Sequence, residues 1–161
     1  MTRYWTALDS PVGGLVVVAE GDAITAVSFS EEPPVDAVRD DDLTLLRSAR
    51  EQLASYFAGE RRDFDVPLAL RGTPFQQRVW AALRHVPYGQ TTGYGAIAAQ
   101  LGLSRGSARA VGSANGANPV AIVVPCHRVI GASGKLVGYA GGLDRKRTLL
   151  ALEAPGLFST V

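Results

Sequence analysis

The chain is poor in residues that bind metals or form cross-links: among its 161 residues it has one cysteine, Cys126, and two histidines. A single cysteine cannot form an internal disulfide, and one cysteine with two separated histidines does not match a structural zinc pattern. No apolar run approaches the roughly 18 residues that cross a membrane, and the first residues lack the apolar core of a signal peptide. The sequence therefore predicts a cytoplasmic protein with no membrane segment, no metal and no cofactor.

Carboxylates are scarce in the second half of the chain. Up to Leu70 there are 6 lysines and arginines against 13 aspartates and glutamates, whereas from Arg71 onward there are 10 against 2. The formal net charge of +1 hides this division. A basic half favours a surface for nucleic acid or another polyanion, although a solvated face that complements the acidic half is an alternative on charge alone.

Short apolar runs separated by turn residues predict a β-meander in the first part of the chain, with strands over residues 4–8, 15–19 and 23–29. Helical spacing of apolar residues then predicts a helix over residues 43–57 that covers one face of the sheet. Residues 64–70 alternate in polarity and are either an edge strand or an extended connector. These elements form the first expected domain, residues 1–72.

Helical patterns dominate the second expected domain, residues 73–161. Thr73 as N-cap, followed by a proline, opens a first helix. Thr91 and Thr92 are the expected cap of a helix over residues 94–101, which a Gly-containing turn separates from a helix over residues 105–115. Two short helices joined in this way are typical of a helix-turn-helix.

A wing hairpin over residues 135–139 and a last helix from residue 143 complete the predicted α/β (α+β) fold. The second helix of the helix-turn-helix pattern is rich in small residues, and Arg109 is its long side chain. Small residues let a helix lie close to the walls of a groove, while Arg109 reaches a phosphate or enters a base stack. The alternative is that the small residues only let two helices pack closely.

Cys126 follows a β-branched run, residues 122–124, that predicts a buried strand ended by Pro125. A thiol at the end of a rigid strand, beside the histidine His127, is a candidate nucleophile. A free cysteine is also one of the most buried residue types, so an inert core residue is the alternative on the dipeptide alone.

A cysteine reacts as thiolate, which requires a base or an adjacent positive charge. His127 reaches the Cys126 sulfur only if the chain turns after Pro125, or through a water molecule. Glu153 is the candidate acceptor that orients the imidazole, although a solvated charge at the end of a helix is the alternative for it. Asn118 precedes the strand and can order the loop through side chain to backbone bonds.

Taken together, the motifs resemble those of the O6-alkylguanine-DNA alkyltransferase family, also called methylated-DNA-protein-cysteine methyltransferases. The resemblance runs from Thr73 onward and rests on the order and spacing of four short motifs. They are Arg109-Ala110-Val111-Gly112 with Asn118-Pro119, Pro125-Cys126-His127-Arg128-Val129, Gly138-Tyr139-Ala140-Gly141-Gly142 and Leu149-Leu150-Ala151-Leu152-Glu153. The first 72 residues resemble the family in length and in the order of β and α elements.

The resemblance implies a ribonuclease H-like N-terminal domain and a winged helix-turn-helix-like C-terminal domain. It also implies DNA repair by direct transfer: the alkyl group on O6 of guanine, and that on O4 of thymine, moves irreversibly to Cys126. By position, His127 is the base that acts through water, Glu153 orients it, and Asn118 orders the turn that holds the thiol. The implied partner is double-stranded DNA that carries the lesion, and the protein is expected to be a monomer.

Further positions are implied to contact the DNA or the target base. Arg109 is the finger that fills the stack of a flipped-out nucleotide, and Tyr94 rotates the 3′ phosphate and donates a proton to guanine. The remaining positions expected to contact DNA are Gln76, Gly95, Ser104 and Ala132. The guanine pocket is expected to be lined by Val129, Tyr139 and Ala140.

The chain departs from the family pattern at two points. Some relatives bind zinc through N-terminal cysteines and histidines, whereas this chain has neither residue type before His85. Many relatives carry serine at the position of Ala140, and alanine cannot donate a hydrogen bond from its side chain.

Three other functions compete with the alkyltransferase interpretation. A non-enzymatic lesion sensor is one, but such relatives carry tryptophan at the position of Cys126. A Cys-His hydrolase of small esters or amides is another. A plain winged-helix transcription factor is the third, and it leaves the Cys-His pair unexplained.

Overall fold

The computed structural model describes residues 1–134 and 136–155. Contacts between Cα atoms divide the chain into two compact units: residues 1–71 with 119–123, and residues 72–118 with the chain from residue 124 onward. The domain bounds 1–72 and 73–161 stay a prediction. The contacts differ from these bounds mainly at residues 119–123, which they assign to the first unit. No helix in the described ranges is both long and apolar enough to cross a membrane.

Four strands form the sheet of the first unit, in the order β3-β2-β1-β4. They are β1 (Arg3–Leu8), β2 (Leu15–Glu20), β3 (Ala23–Phe29) and β4 (Val38–Arg39). The first three are antiparallel neighbours, which confirms the predicted meander. The sequence did not predict β4, because two residues within a polar loop carry too little alternation to be detected.

Helix α1 (Thr44–Phe57) packs against β1, β2 and β3, as the sequence predicted. Its stripe of Leu46, Leu53 and Tyr56 is fully buried. Each such side chain contributes about 1.5–3 kcal/mol when it leaves water. Because Leu43 gives the helix no side-chain cap, packing on the sheet is what stabilises α1.

Residues 119–123 join the first unit through a bridge between Val27 and Val120. The buried strand predicted over residues 122–124 is wrong, because residues 122 and 123 form a turn in which Ile122 has a φ of 72°. A left-handed φ is costly for a β-branched residue, so the complete burial of the Ile122 side chain must hold the turn. The β-branched run therefore indicated a buried segment, but this segment is a turn and not a β-strand.

The alternating segment 64–70 is an extended connector with a single bridge. Leu68 pairs in parallel with Ile24 of β3. The Ile24 amide donates to the Pro67 carbonyl at 2.8 Å, and the Ala69 amide donates to the Ile24 carbonyl at 2.9 Å. Of the two alternatives that the sequence left open, the connector is the one that the structure adopts.

In the described part of the second unit there are four α-helices and a two-stranded parallel sheet. The helices are α2 (Pro74–Leu83), α3 (Tyr94–Gln100), α4 (Ala108–Gly116) and α5 (Leu143–Glu153). The strands β5 (Thr92–Gly93) and β6 (Val129–Ile130) pair with each other. Short 3₁₀ turns lie at Arg105–Ser107, Cys126–Arg128 and Ala132–Gly134.

Helices α2, α3 and α4 pack together around a core of Val79, Trp80, Ile97 and Val111. The indole of Trp80 donates to the Ala114 carbonyl at 2.9 Å, which fixes α2 against α4. The chain leaves α3 through a glycine with a positive φ and re-enters a helix after the Arg105–Ser107 turn. The predicted helix-turn-helix is therefore present, with α4 shorter than the predicted helix because its first residues form a 3₁₀ turn.

Two local predictions in this unit are wrong. Thr91 and Thr92 do not cap α3, because Thr92 lies in β5 and Gly93 takes the N-cap position without a side-chain bond. The wing hairpin is absent where it can be assessed: residues 136–139 have no regular secondary structure, and Lys135 lies outside the described residues. Both patterns are local, whereas the pairing of β5 with β6 depends on residues far apart in sequence.

The predicted N-cap of α2 is confirmed. The Thr73 hydroxyl accepts from the Gln76 amide at 3.1 Å, and the Gln76 side chain accepts from the Thr73 amide at 2.9 Å. This reciprocal pair is a capping box, with Pro74 as the first helical residue.

Replacing Thr73 by alanine should lower the free energy of unfolding by about 1 kcal/mol, because the Gln76 amide loses its side-chain acceptor. Urea unfolding followed by circular dichroism measures the loss. Thr91→Ala is the matched control, since Thr91 caps no helix and makes no side-chain hydrogen bond within the described ranges. Equal losses in the two variants would contradict the assigned cap.

Candidate active site around Cys126

Cys126 opens the 3₁₀ turn Cys126–Arg128 directly after Pro125. Its amide donates to the Val124 carbonyl at 2.8 Å, and the Arg128 amide donates to the Pro125 carbonyl at 3.0 Å. The thiol is free and the residue is 6% exposed. The chain thus turns after Pro125. The sequence analysis gave this turn as one of two ways in which His127 could reach the Cys126 sulfur.

Two asparagines hold this turn against the end of α4. The side-chain amide of Asn118 donates to the Val124 carbonyl at 2.8 Å, and that of Asn115 donates to the Cys126 carbonyl at 3.3 Å. The position of Asn118 agrees with the predicted ordering role. Asn115 was not predicted, because its place on the buried side of α4 is decided by helix packing.

Three side chains act on the Cys126 sulfur. Burial raises the pKa of the Cys126 thiol, and hydrogen bonds from Asn118 and Tyr139 together with the positive charge of Lys146 oppose that rise. Burial, and next the charge of Cys126, raise the pKa of the Tyr139 hydroxyl, so Tyr139 is a donor and not a base. Burial is the largest of these effects, so the pKa of the thiol stays above its ordinary value, and the neighbouring donors and the cation only reduce the rise.

His127 is fully buried and pairs with Glu153 across 2.7 Å, from Nε2 to Oε2. Arg128 binds the same carboxylate through two bonds: Nε donates to Oε1 at 2.7 Å and Nη2 donates to Oε2 at 3.1 Å. Its Nη1 also donates to the Val86 carbonyl at 2.7 Å. The sequence predicted the His127–Glu153 pair and missed Arg128, since one arginine among ten basic residues carries no sign of its burial.

The ionisation states of the pair follow from these contacts. Burial alone would raise the pKa of Glu153, but the hydrogen bonds of His127 and Arg128 and the charge of Arg128 outweigh it and hold that pKa at about 2. Burial lowers the pKa of His127, with Glu153 acting in the opposite direction. A neutral His127 donates from Nε2 to the carboxylate, which leaves Nδ1 as an acceptor without a partner among the described residues.

Lys146 is a second buried cation that the sequence did not single out. Its side chain lies at 0% exposure on α5, and Nζ donates to the carbonyls of Val137 at 2.9 Å and Gly138 at 3.1 Å. Burial lowers the pKa of Lys146 to about 8. In sequence Lys146 lies between two arginines, and this pattern does not distinguish a buried lysine from an exposed one.

An open cavity of about 140 Å³ lies between α3, α4 and the loop that precedes α5. Its lining residues are Tyr94, Gly112, Asn115, Gly116, Gly138, Tyr139 and Ala140. Two of them, Asn115 and Tyr139, also bond Cys126. Gly112 and Gly116 expose the α4 backbone to the cavity on either side of Asn115, so a flat ligand can approach the helix backbone closely there.

Within the described residues, no group of three or more His, Cys, Asp or Glu side chains is arranged to hold a metal ion. Polar side chains around Cys126 instead bond within the protein: Asn115 and Asn118 donate to backbone carbonyls, and His127 pairs with Glu153. The arrangement can lower the cost of forming a thiolate beside a cavity and can accept a proton at His127 Nδ1.

Family models match nearly the whole chain. The model of the ribonuclease-like domain of 6-O-methylguanine DNA methyltransferase matches residues 3–70, and the model of its DNA binding domain matches residues 74–155. The chain belongs to the 6-O-methylguanine DNA methyltransferase family.

Relatives and solved structures agree with this membership. The methylated-DNA–protein-cysteine methyltransferase of Mycobacterium tuberculosis is 53% identical over 152 residues, which cover 93% of this chain and 92% of the relative. The constitutive enzyme of Bacillus subtilis is 45% identical over 158 residues, 94% of this chain and 95% of the relative. The crystal structure of the Mycobacterium tuberculosis protein in complex with DNA is 52% identical, with a TM-score of 0.87 and coverage of 95% and 96%.

The predicted resemblance, the fold class and the enzyme class are confirmed: the chain is a DNA-repair methyltransferase of this family with a ribonuclease-like and a DNA-binding domain. The individual site residues stay predictions. Arg109 is exposed on α4, and four further positions expected to contact DNA lie at or near the surface: Gly95, Ser104, Ala132 and Gln76. The Gln76 side chain is engaged in the capping box of α2.

Of the three residues expected to line the guanine pocket, two line the cavity and one does not. Tyr139 and Ala140 line the cavity, as does Tyr94. Val129 is fully buried in β6, paired with Thr92, and is not among the lining residues.

Replacing Glu153 by glutamine should lower the free energy of unfolding by about 3–5 kcal/mol at neutral pH, because Arg128 stays buried without a counter-ion. The folded pKa of Glu153, about 2, lies below its ordinary value of 4.5. Its stabilising contribution is therefore complete above about pH 4.5 and is lost as the pH falls towards 2.

Urea unfolding of both proteins between pH 2 and 7 measures this effect, and the difference between them should shrink as the pH falls. Asp144→Asn is the matched control, since Asp144 is a fully exposed carboxylate on the same helix. A difference between wild type and Glu153→Gln that is constant over the whole pH range would contradict the assigned ionisation.

Proposed function

We propose that this protein repairs O6-alkylguanine, and O4-methylthymine, in double-stranded DNA by transferring the alkyl group to Cys126 once per molecule. The observation that carries the proposal is the buried, free Cys126 thiol beside an open cavity: Asn115, which donates to the Cys126 carbonyl, and Tyr139, which bonds the thiol, both line that cavity. The family membership supports it, as does the relative whose crystal structure contains DNA.

The reaction is a single displacement. The Cys126 sulfur attacks the alkyl carbon, so that the S–C bond forms while the C–O6 bond breaks and its electron pair stays on the base. The thiol proton passes through water to Nδ1 of His127, and the base takes up a proton from the Tyr94 hydroxyl, which regains one from solvent. The products are unmodified guanine and a thioether, which is a poor leaving group, so the protein acts once.

The base role of His127 rests on its tautomer. The Glu153 carboxylate accepts the Nε2 proton across 2.7 Å, which directs the lone pair of the neutral ring to Nδ1. Arg128 keeps Glu153 ionised, so the carboxylate does not compete for the thiol proton. In this proposal Glu153 stabilises the imidazolium that forms, and Arg128 orients Glu153.

DNA reaches the cavity through base flipping, because a buried thiol cannot meet a base inside a duplex. Arg109 is exposed one turn before the cavity-lining Gly112 on α4, a suitable place for a side chain that fills the vacated stack. In this proposal the basic domain, residues 73–161, contacts DNA through the minor groove. The acidic domain, residues 1–72, has a supporting structural role. Unstacking costs a few kcal/mol, which the inserted side chain offsets in part.

Mixing the protein with a duplex that carries O6-methylguanine should add one methyl group per molecule to the peptide that contains Cys126, measured by mass spectrometry. Cys126→Ser should gain none and should still bind the duplex. Tight lesion binding without transfer in the wild type would instead indicate a lesion sensor. Multiple turnover on small esters would indicate a hydrolase, and strong sequence preference a transcription factor.

Arg109→Ala should slow repair of the duplex by about 10- to 100-fold, the loss of roughly 1–3 kcal/mol of contact. It should leave the reaction with free O6-benzylguanine nearly unchanged, because a free base needs no flipping. Single-turnover rates on both substrates measure the two effects. Arg84→Ala is the matched control, an exposed arginine at the end of α2, and equal losses on both substrates would contradict the finger role of Arg109.

A further inference from the structure

Asn115 on α4 carries a buried acceptor atom that no described residue satisfies. The residue is 4% exposed, and its side-chain oxygen Oδ1 has no hydrogen-bond partner among the described residues. Its Nδ2 donates to the Cys126 carbonyl at 3.3 Å, which assigns the two amide atoms, because an oxygen in that place would face another oxygen. A buried acceptor without a donor is costly, so its presence requires a reason.

The same side chain lines the open cavity between α3, α4 and the loop that precedes α5. On α4 it lies between two glycines, Gly112 and Gly116, which also line the cavity. A Cβ at Gly116 would meet no other segment within 4 Å, so the space beside Asn115 is open there. A ligand in the cavity can therefore approach the Asn115 amide without displacing a side chain at either glycine.

The other polar side chains that line the cavity are two tyrosines, and both bond groups of the protein. The Tyr94 hydroxyl donates to the Val137 carbonyl at 3.4 Å, and the Tyr139 hydroxyl bonds the Cys126 thiol. The carbonyls of Val137 and Gly138 also accept from Lys146, at 2.9 and 3.1 Å. Oδ1 of Asn115 is thus a side-chain acceptor at the cavity that no donor of the described residues uses.

An unused acceptor favours a ligand that carries an N–H group. O6-alkylguanine has such a group in its 2-amino substituent, whereas alkylation at O6 leaves its N1 without a proton. O4-methylthymine has no N–H on its base-pairing edge, because alkylation at O4 leaves N3 without a proton and O2 is an acceptor. The two lesions of the proposed function therefore differ in the group that Oδ1 can recognise.

We propose that Asn115 is a specificity-determining residue whose Oδ1 accepts a hydrogen bond from the 2-amino group of the flipped-out purine. The amide turns towards the base about its terminal torsion, which has broad minima in asparagine, and the long bond from Nδ2 to Cys126 allows this movement. A base with the amino group satisfies the acceptor, whereas a base without it leaves the acceptor unpaired. The inference rests on the proposed function, because it takes the cavity as the site of the target base.

Binding of free bases to the Cys126→Ser protein tests this contact without methyl transfer. O6-benzylguanine should bind about tenfold more tightly than O6-benzylhypoxanthine, which lacks only the 2-amino group, because one hydrogen bond to a buried acceptor is lost. Adding Asn115→Leu should bring the ratio of the two dissociation constants to about one, since the acceptor is gone. Isothermal titration calorimetry measures all four constants. Equal affinities for the Cys126→Ser protein, or no binding of either base, would overturn the proposal.

Single-turnover methyl transfer from duplexes that differ only in the lesion gives the second measurement. The wild type should react about tenfold faster with O6-methylguanine than with O6-methylhypoxanthine, and should also prefer O6-methylguanine to O4-methylthymine. Asn115→Leu should remove the preference for the amino group, in addition to any common loss from the missing bond to Cys126. If Asn115 only holds the Cys126 turn, the variant slows all three reactions equally and keeps the preference, which would contradict the proposal.

Ser113→Ala is the matched control, because Ser113 is exposed and lies two residues before Asn115 on α4. Its preference for the amino group should equal that of the wild type. Thermal unfolding verifies the fold of each variant, and the smaller Asn115→Ala provides the same comparison if the leucine variant does not fold. Failure of methyl transfer in the wild type would contradict the proposed function, whereas the binding ratio in the Cys126→Ser protein would still decide the role of Asn115.

Discussion

The 3₁₀ turn Cys126–Arg128 is held in place by the buried carboxylate of Glu153. This carboxylate accepts from His127 and from two nitrogens of Arg128, and Arg128 also reaches the Val86 carbonyl. A charge at this depth is stable only when it is fully paired, so α5, the Cys126–Arg128 turn and the segment after α2 are held at one point. Burial lowers the pKa of His127, and its Nε2 bond to Glu153 leaves Nδ1 as an acceptor that has no partner among the described residues.

The two buried cations of this unit, Arg128 and Lys146, differ in their partners. Arg128 is paired with Glu153, whereas Lys146 donates to two backbone carbonyls and has no carboxylate within ion-pair distance in the described part of the chain. Burial raises the pKa of the Cys126 thiol, and hydrogen bonds from Asn118 and Tyr139, with the charge of Lys146, reduce that rise.

Local patterns predicted those elements whose cause is local. The meander, α1, the Thr73 cap and the helix-turn-helix follow from alternation, helical spacing and capping chemistry over a few residues. The strand over residues 122–124 and the cap at Thr91 and Thr92 were wrong because β-branched residues also fill a buried turn, and because a strand partner took Thr92. In both cases a contact distant in sequence outweighed the local preference.

The sequence by itself identified the candidate nucleophile, since there is one cysteine, and the ordered motifs around it identified the family. The division of charge between the two halves was also visible in it. Only the tertiary structure decided which charged side chains are buried and which partners they have: Arg128 and Glu153 pair although they are 25 residues apart in sequence, and Lys146 is buried between two arginines that are partly exposed. The effect of a charge depends on burial and on its nearest partners, and folding alone brings those partners together.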